Sequence, residues 1–325
     1  MHPAFSVIFL TTLIGVGQGM FLALFTGQSY AAAQFLPAQD SSGFYAAGSL
    51  IALSFLVSGL LASFFHLGHP ERAWRAAAMW RTSWLSREVI VLPIVMLFVF
   101  VYGAMHFMGW DAVIATTGTG VTFHASLLAG ALGSLAVFLL FLCTAMIYAS
   151  IRFLQEWSSP LTVINYLLLG TASGFTLATA FSHEAAPDLT PFYGTWAIII
   201  TVAAFISRSA SLIRNSQLKY KSTLRSAIGV RHSQIVQMAQ GAMGGSYNTR
   251  EYFHGKKAMF LQSVKWIFMA LVFVAPVLLL MAGMQNNNII VLTGAFVVQY
   301  TGLLLERWLF FAQARHPQNI YYQTV

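Results

Sequence analysis

Eight stretches of this chain are apolar enough, and long enough, to cross a lipid bilayer. A helical span needs about 20 mostly apolar residues. The runs Phe5–Phe35, Gly43–Phe65, Ser86–Met108, Phe123–Ile151, Pro160–Phe181, Thr190–Ile213, Met259–Met284 and Asn288–Phe311 meet that need. They account for most of the 325 residues, of which 58% are hydrophobic and only 8% charged. Soluble domains average about 25% charged residues. Because lipid offers no hydrogen bonds, each run must satisfy its own backbone, as a helix or within a closed barrel. The runs are continuous and do not alternate, which excludes a barrel. The sequence therefore predicts one all-α polytopic domain over residues 1–325. The first run lacks a basic leader and is too long for a cleaved signal peptide.

Eight spans sort the connections into two sets. One holds both termini and the connections after spans two, four and six; the other holds the rest. All 17 lysines and arginines fall in the first set or at helix ends facing it. The second set carries Asp40, Asp111, Glu184 and Asp188. Excess Lys and Arg marks the cytoplasmic side, so both termini of this multi-pass protein are expected there. The basic charge describes one face. Nothing interleaves aromatic and basic residues as a nucleic-acid groove would. Spans four and eight both open on small, glycine-containing runs and end at arginines, a pattern that allows two packed groups of four helices. Residues 214–258 form a basic cytoplasmic loop too short for a core of its own. It suits anionic lipid or an acidic protein partner.

The chain has one cysteine, Cys143, and nine histidines. One cysteine excludes an iron–sulfur cluster held by this chain alone. No two histidines lie thirteen or fourteen apart in one span, so stacked haems are not expected. A single haem between the outer histidines His106, His124 and His183 is the alternative, and no metal site is expected. In the first span, "LIGVGQGMFLALFTGQ" sets Gln18 among Gly15, Gly17 and Gly19. The Gly15/Gly19 pair permits close helix approach. Gln18 reads either as a packing residue bonded across that seam or as one wall of a groove for a flat, lipid-soluble ligand.

Polar chemistry concentrates in "FFHLGHPERAWRAAAMWRTSWLSREVIVLP", residues 64–93, with four arginines, two glutamates, two histidines and three tryptophans. "PERAWRAAAMWR" reads as a short helix with proline in its first turn and Glu71 four before Arg75. Trp74, Trp80 and Trp84 suit the membrane–water boundary. His66 and Glu88 fall at similar depth on two helices joined by this hairpin. One reading makes the arginines and tryptophans anchors, with Glu88 paired to one of them. The other is a quinone site, where titratable groups meet the ring oxygens beside an apolar slot.

"HLGHPERAWRAAAMWRTSWLSREV" resembles the signature of the DmsC-type anchor subunits of complex iron–sulfur molybdoenzymes. "YNTREYFHG" and "TLIGVGQGMF" resemble further segments of that family, and the likeness extends over the whole chain. It implies a quinone-reactive anchor without haem, bound to a four-cluster iron–sulfur subunit and through it to a molybdopterin catalytic subunit. It places the family's quinol-linked histidine and glutamate on His66 and Glu88. Around them, Gln18, Arg72, Trp74, Arg75, Arg81, Glu306 and Arg307 are the candidates for pocket or interface.

In the dimethyl sulfoxide reductases that typify the family, the catalytic subunits sit on the outer face. Here the corresponding end carries the positive charge. That favours the similar anchors of cytoplasmic sulfite dehydrogenases, with electrons passing from sulfite to quinone, over an anchor of a quinol-oxidising S- or N-oxide reductase. A transporter is expected to place ionisable residues near the bilayer midplane, and none stands clearly there. A purely structural anchor is the remaining reading.

Overall fold

The computed structural model describes residues 1–116, 122–220, 223–232, 234–235 and 254–317. Most of the "YNTREYFHG" segment and part of the 214–258 loop lie outside these residues. Eight helical spans are present, with ends within a few residues of those expected. Six are single helices: α1 (Phe5–Ala32), α2 (Ala47–Phe64), α3 (Trp84–Met108), α4 (Ala125–Ala149), α5 (Pro160–Ala185) and α6 (Thr190–Ser216). The short α7 (Leu224–Ile228) lies in the basic loop. Span seven consists of α8 (Ala258–Met269), a π-helical turn Ala270–Val274 and α9 (Ala275–Gln285); α10 (Ile289–Ala312) is the last span. Pro276 explains the break in span seven. It has no N–H to give, and its ring crowds the carbonyl one turn back, which the wider π turn accommodates. A second π turn, Ser41–Ala46, opens α2, where the Asp40 carboxylate accepts from the Gly43 N–H at 2.7 Å.

Two local expectations change. Residues 122–124 pair as a strand with Val113–Thr116, so span four starts later than expected, at Ala125. His124 is extended, and the Asp111 carboxylate accepts the Ser126 N–H at 3.1 Å, fixing the helix start. The Pro70–Met79 segment is a 3₁₀ helix. In that geometry residues three apart eclipse, so a spacing of four does not align. Glu71 accordingly contacts His69 at 3.0 Å and Arg72 at 3.7 Å, not Arg75.

The spans pack as two rings of four. One contains α1, α2, α3 and α4; the other contains α5, α6, span seven and α10. They join chiefly along α1 and α5. Gly15 and Gly19 of α1 meet Gly170 and Gly174 of α5. A Cβ on Gly174 would overlap the Gly19 backbone, and one on Gly19 would strike the Gly170 carbonyl. The glycine pair of the first span thus faces a second such pair. This seam makes α1 the most enclosed span, with 78% of its most apolar window buried against 28–61% in the others.

Contacts fix which connections share an end. The Met1 ammonium donates to the Ala312 and Ala314 carbonyls, at 3.3 and 3.0 Å. The Trp157 indole donates to the Phe310 carbonyl at 2.8 Å. Arg214 donates to the Gln155 and Ser158 carbonyls, at 3.0 and 3.3 Å. The N-terminus, the end of span eight, the connection after span four and the end of span six therefore meet at one end, which is the basic one. The buried Glu156 carboxylate there accepts from the Tyr220 hydroxyl at 2.7 Å and the Arg315 N–H at 3.2 Å. Burial, followed by that bond, pushes the Tyr220 hydroxyl up to about 12.

Candidate functional site

Glu88 lies in the second turn of α3. Ser83 caps that helix, its hydroxyl accepting the Ser86 N–H at 3.4 Å. The preceding residue points the other way. Arg87 donates to the Trp80 and Arg81 carbonyls at 2.9 and 2.8 Å, and its guanidinium lies 4.2 Å from the Trp84 ring centroid. Arg87 therefore ties α3 to the connection, while Glu88, only 7% exposed, turns into the bundle. There one carboxylate oxygen, Oε1, accepts a short hydrogen bond from the Thr144 hydroxyl of α4. Among the described residues no lysine or arginine is paired with Glu88. The expectation that a neighbouring arginine holds it gives way to this bond.

Glu88 lines an enclosed cavity built by α1, α3, α4, α5 and α10. Its polar walls are Thr11, Thr12, Gln18, Glu88, Thr144, Ser173, Tyr166 and Arg307. Gln18 reaches it from the glycine face of α1, and its amide donates to the Val137 carbonyl of α4 at 3.2 Å. The packing reading of Gln18 holds, and the space it borders is a water-sized cavity, not a groove for a flat ligand. The free space inside is about 20 Å³. A water needs about 10–15 Å³ measured this way, so the cavity as it stands takes a water and not a quinone ring.

Behind Arg307 is a buried charge cluster. Arg208 Nε lies 2.8 Å from Glu306 Oε1, and Arg307 Nη2 lies 3.7 Å from Glu306 Oε2. All three residues are at most 5% exposed. The Arg307 guanidinium lies 3.8 Å from the Tyr166 ring centroid. Two arginines on one glutamate leave a surplus positive charge, and Glu88 is the acid across the cavity from it. Sequence reasoning set Arg208 and Arg307 at helix ends; the structure points them inward, with Glu306 between.

The other candidates lie elsewhere. His66 is exposed on the connection after α2 and does not line the cavity. Partial burial of its ring holds its imidazole below the ordinary histidine range. Arg72, Trp74, Arg75 and Arg81 are all exposed. The Arg75 and Arg81 guanidinium carbons lie 5.6 and 5.4 Å from the Trp74 and Trp80 ring centroids. These residues form a basic, aromatic rim at the same end as the cavity. The structure thus gathers Gln18, Glu88 and Arg307 at one cavity with Glu306 behind it. It leaves His66 and the connection arginines outside. Sequence reasoning missed Thr144, Tyr166 and the inward turn of Arg208.

The family model for "DMSO reductase anchor subunit (DmsC)" matches residues 1–313. The chain belongs to that family. This anchor is also 60% identical, over the full length of both chains, to a sulfite dehydrogenase subunit of Allochromatium vinosum. It is therefore a membrane anchor subunit, and its eight spans are the family's anchoring element in this chain.

Proposed function

We propose that this anchor passes electrons from a partner iron–sulfur subunit to membrane quinone, within a molybdopterin complex that oxidises sulfite on the cytoplasmic side. Glu88 carries the reading for the quinone site. It is a buried carboxylate beside a polar cavity, one turn inside the basic end of the bundle. Quinone reduction needs two electrons and two protons, and a carboxylate that exchanges a proton with water on one side and a ring oxygen on the other supplies that chemistry. The ring is taken to approach from the basic end beside the exposed Leu85, one turn before Glu88 on the same side of α3, leaving the cavity to water. His66, whose neutral form is favoured by partial desolvation, is the second proton-exchanging group at the rim.

The relative's name supports sulfite as the electron donor of the complex. The one-sided distribution of Lys and Arg supports a cytoplasmic basic end. The iron–sulfur subunit docks there, on the rim of Arg72, Trp74, Arg75 and Arg81 and on the basic 214–258 loop. Electrons then enter close to Glu88. The lipid phase is the bacterial inner membrane.

The test starts from the complex purified in mild detergent. A large molybdopterin chain and a ferredoxin-like chain should co-purify with the anchor. Glu88→Gln should leave that assembly and its dye-coupled sulfite oxidation intact, and lower quinone-linked turnover about a hundredfold. Isolation of the anchor alone, or full quinone turnover in the variant, would refute the reading. An alkaline phosphatase fused after Val325 should be inactive, and high activity would reverse the orientation.

A further inference from the structure

The cavity beside Glu88 has polar walls whose hydrogen bonds are incomplete. Thr144 occupies one carboxylate oxygen of Glu88, and the other receives no hydrogen bond from a described residue. The Tyr166 hydroxyl and the Arg307 guanidinium are both buried and interact with each other, but neither the hydroxyl nor Arg307 Nε makes a hydrogen bond of good geometry to a described residue. All three residues line the same space of about 20 Å³. Buried polar groups without partners are costly, and proteins seldom leave several together. A buried water typically makes about three hydrogen bonds and needs no more room than this cavity offers. Of the remaining polar walls, the Thr11, Thr12 and Ser173 hydroxyls already donate to carbonyls of their own helices, at 2.9, 2.8 and 2.9 Å.

We infer that a water bound in this cavity links Glu88 to Tyr166 and Arg307, and that Thr144 positions Glu88 to exchange protons between that water and the quinone oxygen. The inference rests on the quinone reading above. As two electrons arrive from the iron–sulfur partner, the protonated carboxyl gives its proton to one ring oxygen and a second proton reaches the other from the basic end by way of His66, so that quinone leaves as quinol. An O–H bond forms at each ring oxygen, and the carboxylate is left facing the water and the Arg307 charge. The water then returns a proton to the carboxylate and is itself resupplied from the basic end. With Oε1 held by Thr144, the second oxygen faces the exchange in every cycle. Tyr166 orients the water, and its ring carries the Arg307 guanidinium. Thr144 and Tyr166 are therefore positioning residues.

The experiment uses the assembled complex in nanodiscs, with sulfite as donor and a short-chain quinone as acceptor. Thr144→Val keeps the shape and removes the donor; Tyr166→Phe keeps the ring under Arg307 and removes the hydroxyl. Each should lower kcat with quinone about tenfold, the size expected when a hydrogen bond in a charged network is lost. KM should change less than about twofold, because ring binding is untouched. Dye-coupled activity should be unchanged, and Thr144→Ser should restore kcat. The solvent deuterium isotope effect on kcat should rise in both damaged variants as proton transfer becomes limiting. Wild-type kcat and isotope effect in both variants, with Glu88→Gln inactive, would overturn the water link and leave the quinone reading standing. A fully active Glu88→Gln would remove the reading itself. Should the valine variant fail to assemble, Tyr166→Phe decides alone.

Discussion

Two polar regions lie at opposite ends of the bundle, and they are built differently. At the basic end, Glu88 of α3 and Arg307 of α10 face a water-sized space, with Arg208 of α6 and Glu306 behind Arg307. At the other end, Gln28 of α1 donates to the Ser126 hydroxyl at 2.8 Å and meets the buried His106 ring at 3.3 Å. His106 stacks on Tyr45, with ring centroids 4.7 Å apart, and meets Tyr102 edge-on at 4.6 Å. Between the two regions lies a dry layer in which Phe21, Leu24, Val95, Val99 and Val137 are wholly buried. Neutral amides, hydroxyls and an imidazole join helices in lipid at modest cost, typically 1–2 kcal/mol per contact. Ionised groups inside a membrane are far more expensive and mark functional paths. On the proposed function, the comparison assigns assembly to the neutral end and chemistry to the charged one.

Four measurements would break or sharpen that assignment. The largest effect is expected from Glu306→Ala. It leaves Arg208 and Arg307 buried without their counter-ion, a loss of roughly 3–5 kcal/mol. The anchor should then be absent from membranes on immunoblots, whereas Glu306→Gln should retain some. Gly174→Leu comes next, because its side chain has no room beside the Gly19 backbone. It should part the two rings and abolish recovery of intact anchor in detergent. Glu88→Gln should leave both thermal stability and yield near wild type, in contrast to its loss of quinone turnover. His106→Phe should do the reverse, costing about 1–2 kcal/mol in a detergent melt with quinone kcat unchanged. If His106→Phe instead removes turnover, the division between the two ends fails.

The smallest effect belongs to His66. Its imidazole lies below the ordinary range because the folded protein partly desolvates it. Raising the pH from 7 to 8 therefore changes little through His66, because partial desolvation already favours its neutral form. Acidification charges it only below the range of a free histidine. His66→Ala should weaken quinone-analogue inhibition severalfold at pH 7 and flatten any acid-side change in that inhibition. Identical inhibition in wild type and variant across that range would exclude it from the site.

The spans, their order and the basic end were legible because hydropathy and charge sidedness are properties of contiguous sequence. Glu88 and Gln18 stood out as polar residues where lipid allows few. Thr144 and Tyr166 did not, because a helical threonine or tyrosine carries no local sign of its partner, and these partners come from other spans. Arg208 looked like a helix-end arginine; only the packing of α6 on α10 turns it toward Glu306. Glu156 sits among basic connections and was overlooked, although an acid on that face was the available clue. The second glycine pair, Gly170 and Gly174, was readable in "LLLGTASGF" and would have named α5 as the partner of α1. The hairpin before α4 was hidden because Phe123 continues an apolar run while its backbone is extended.

The glycine seam also dictates an order of events during synthesis. α1 emerges first, yet the face it buries most closely belongs to α5. Until residues 160–185 are made, the Gly15/Gly19 face has only lipid or the insertion machinery against it. The Gln18 amide can already reach Val137 once α4 arrives, so the first ring can close before the second exists. The N-terminal half is therefore a half-finished surface waiting for one helix. A ribosome stalled before residue 160 should leave a four-span fragment that proteases clear, and supplying the C-terminal half as a separate chain should rescue it.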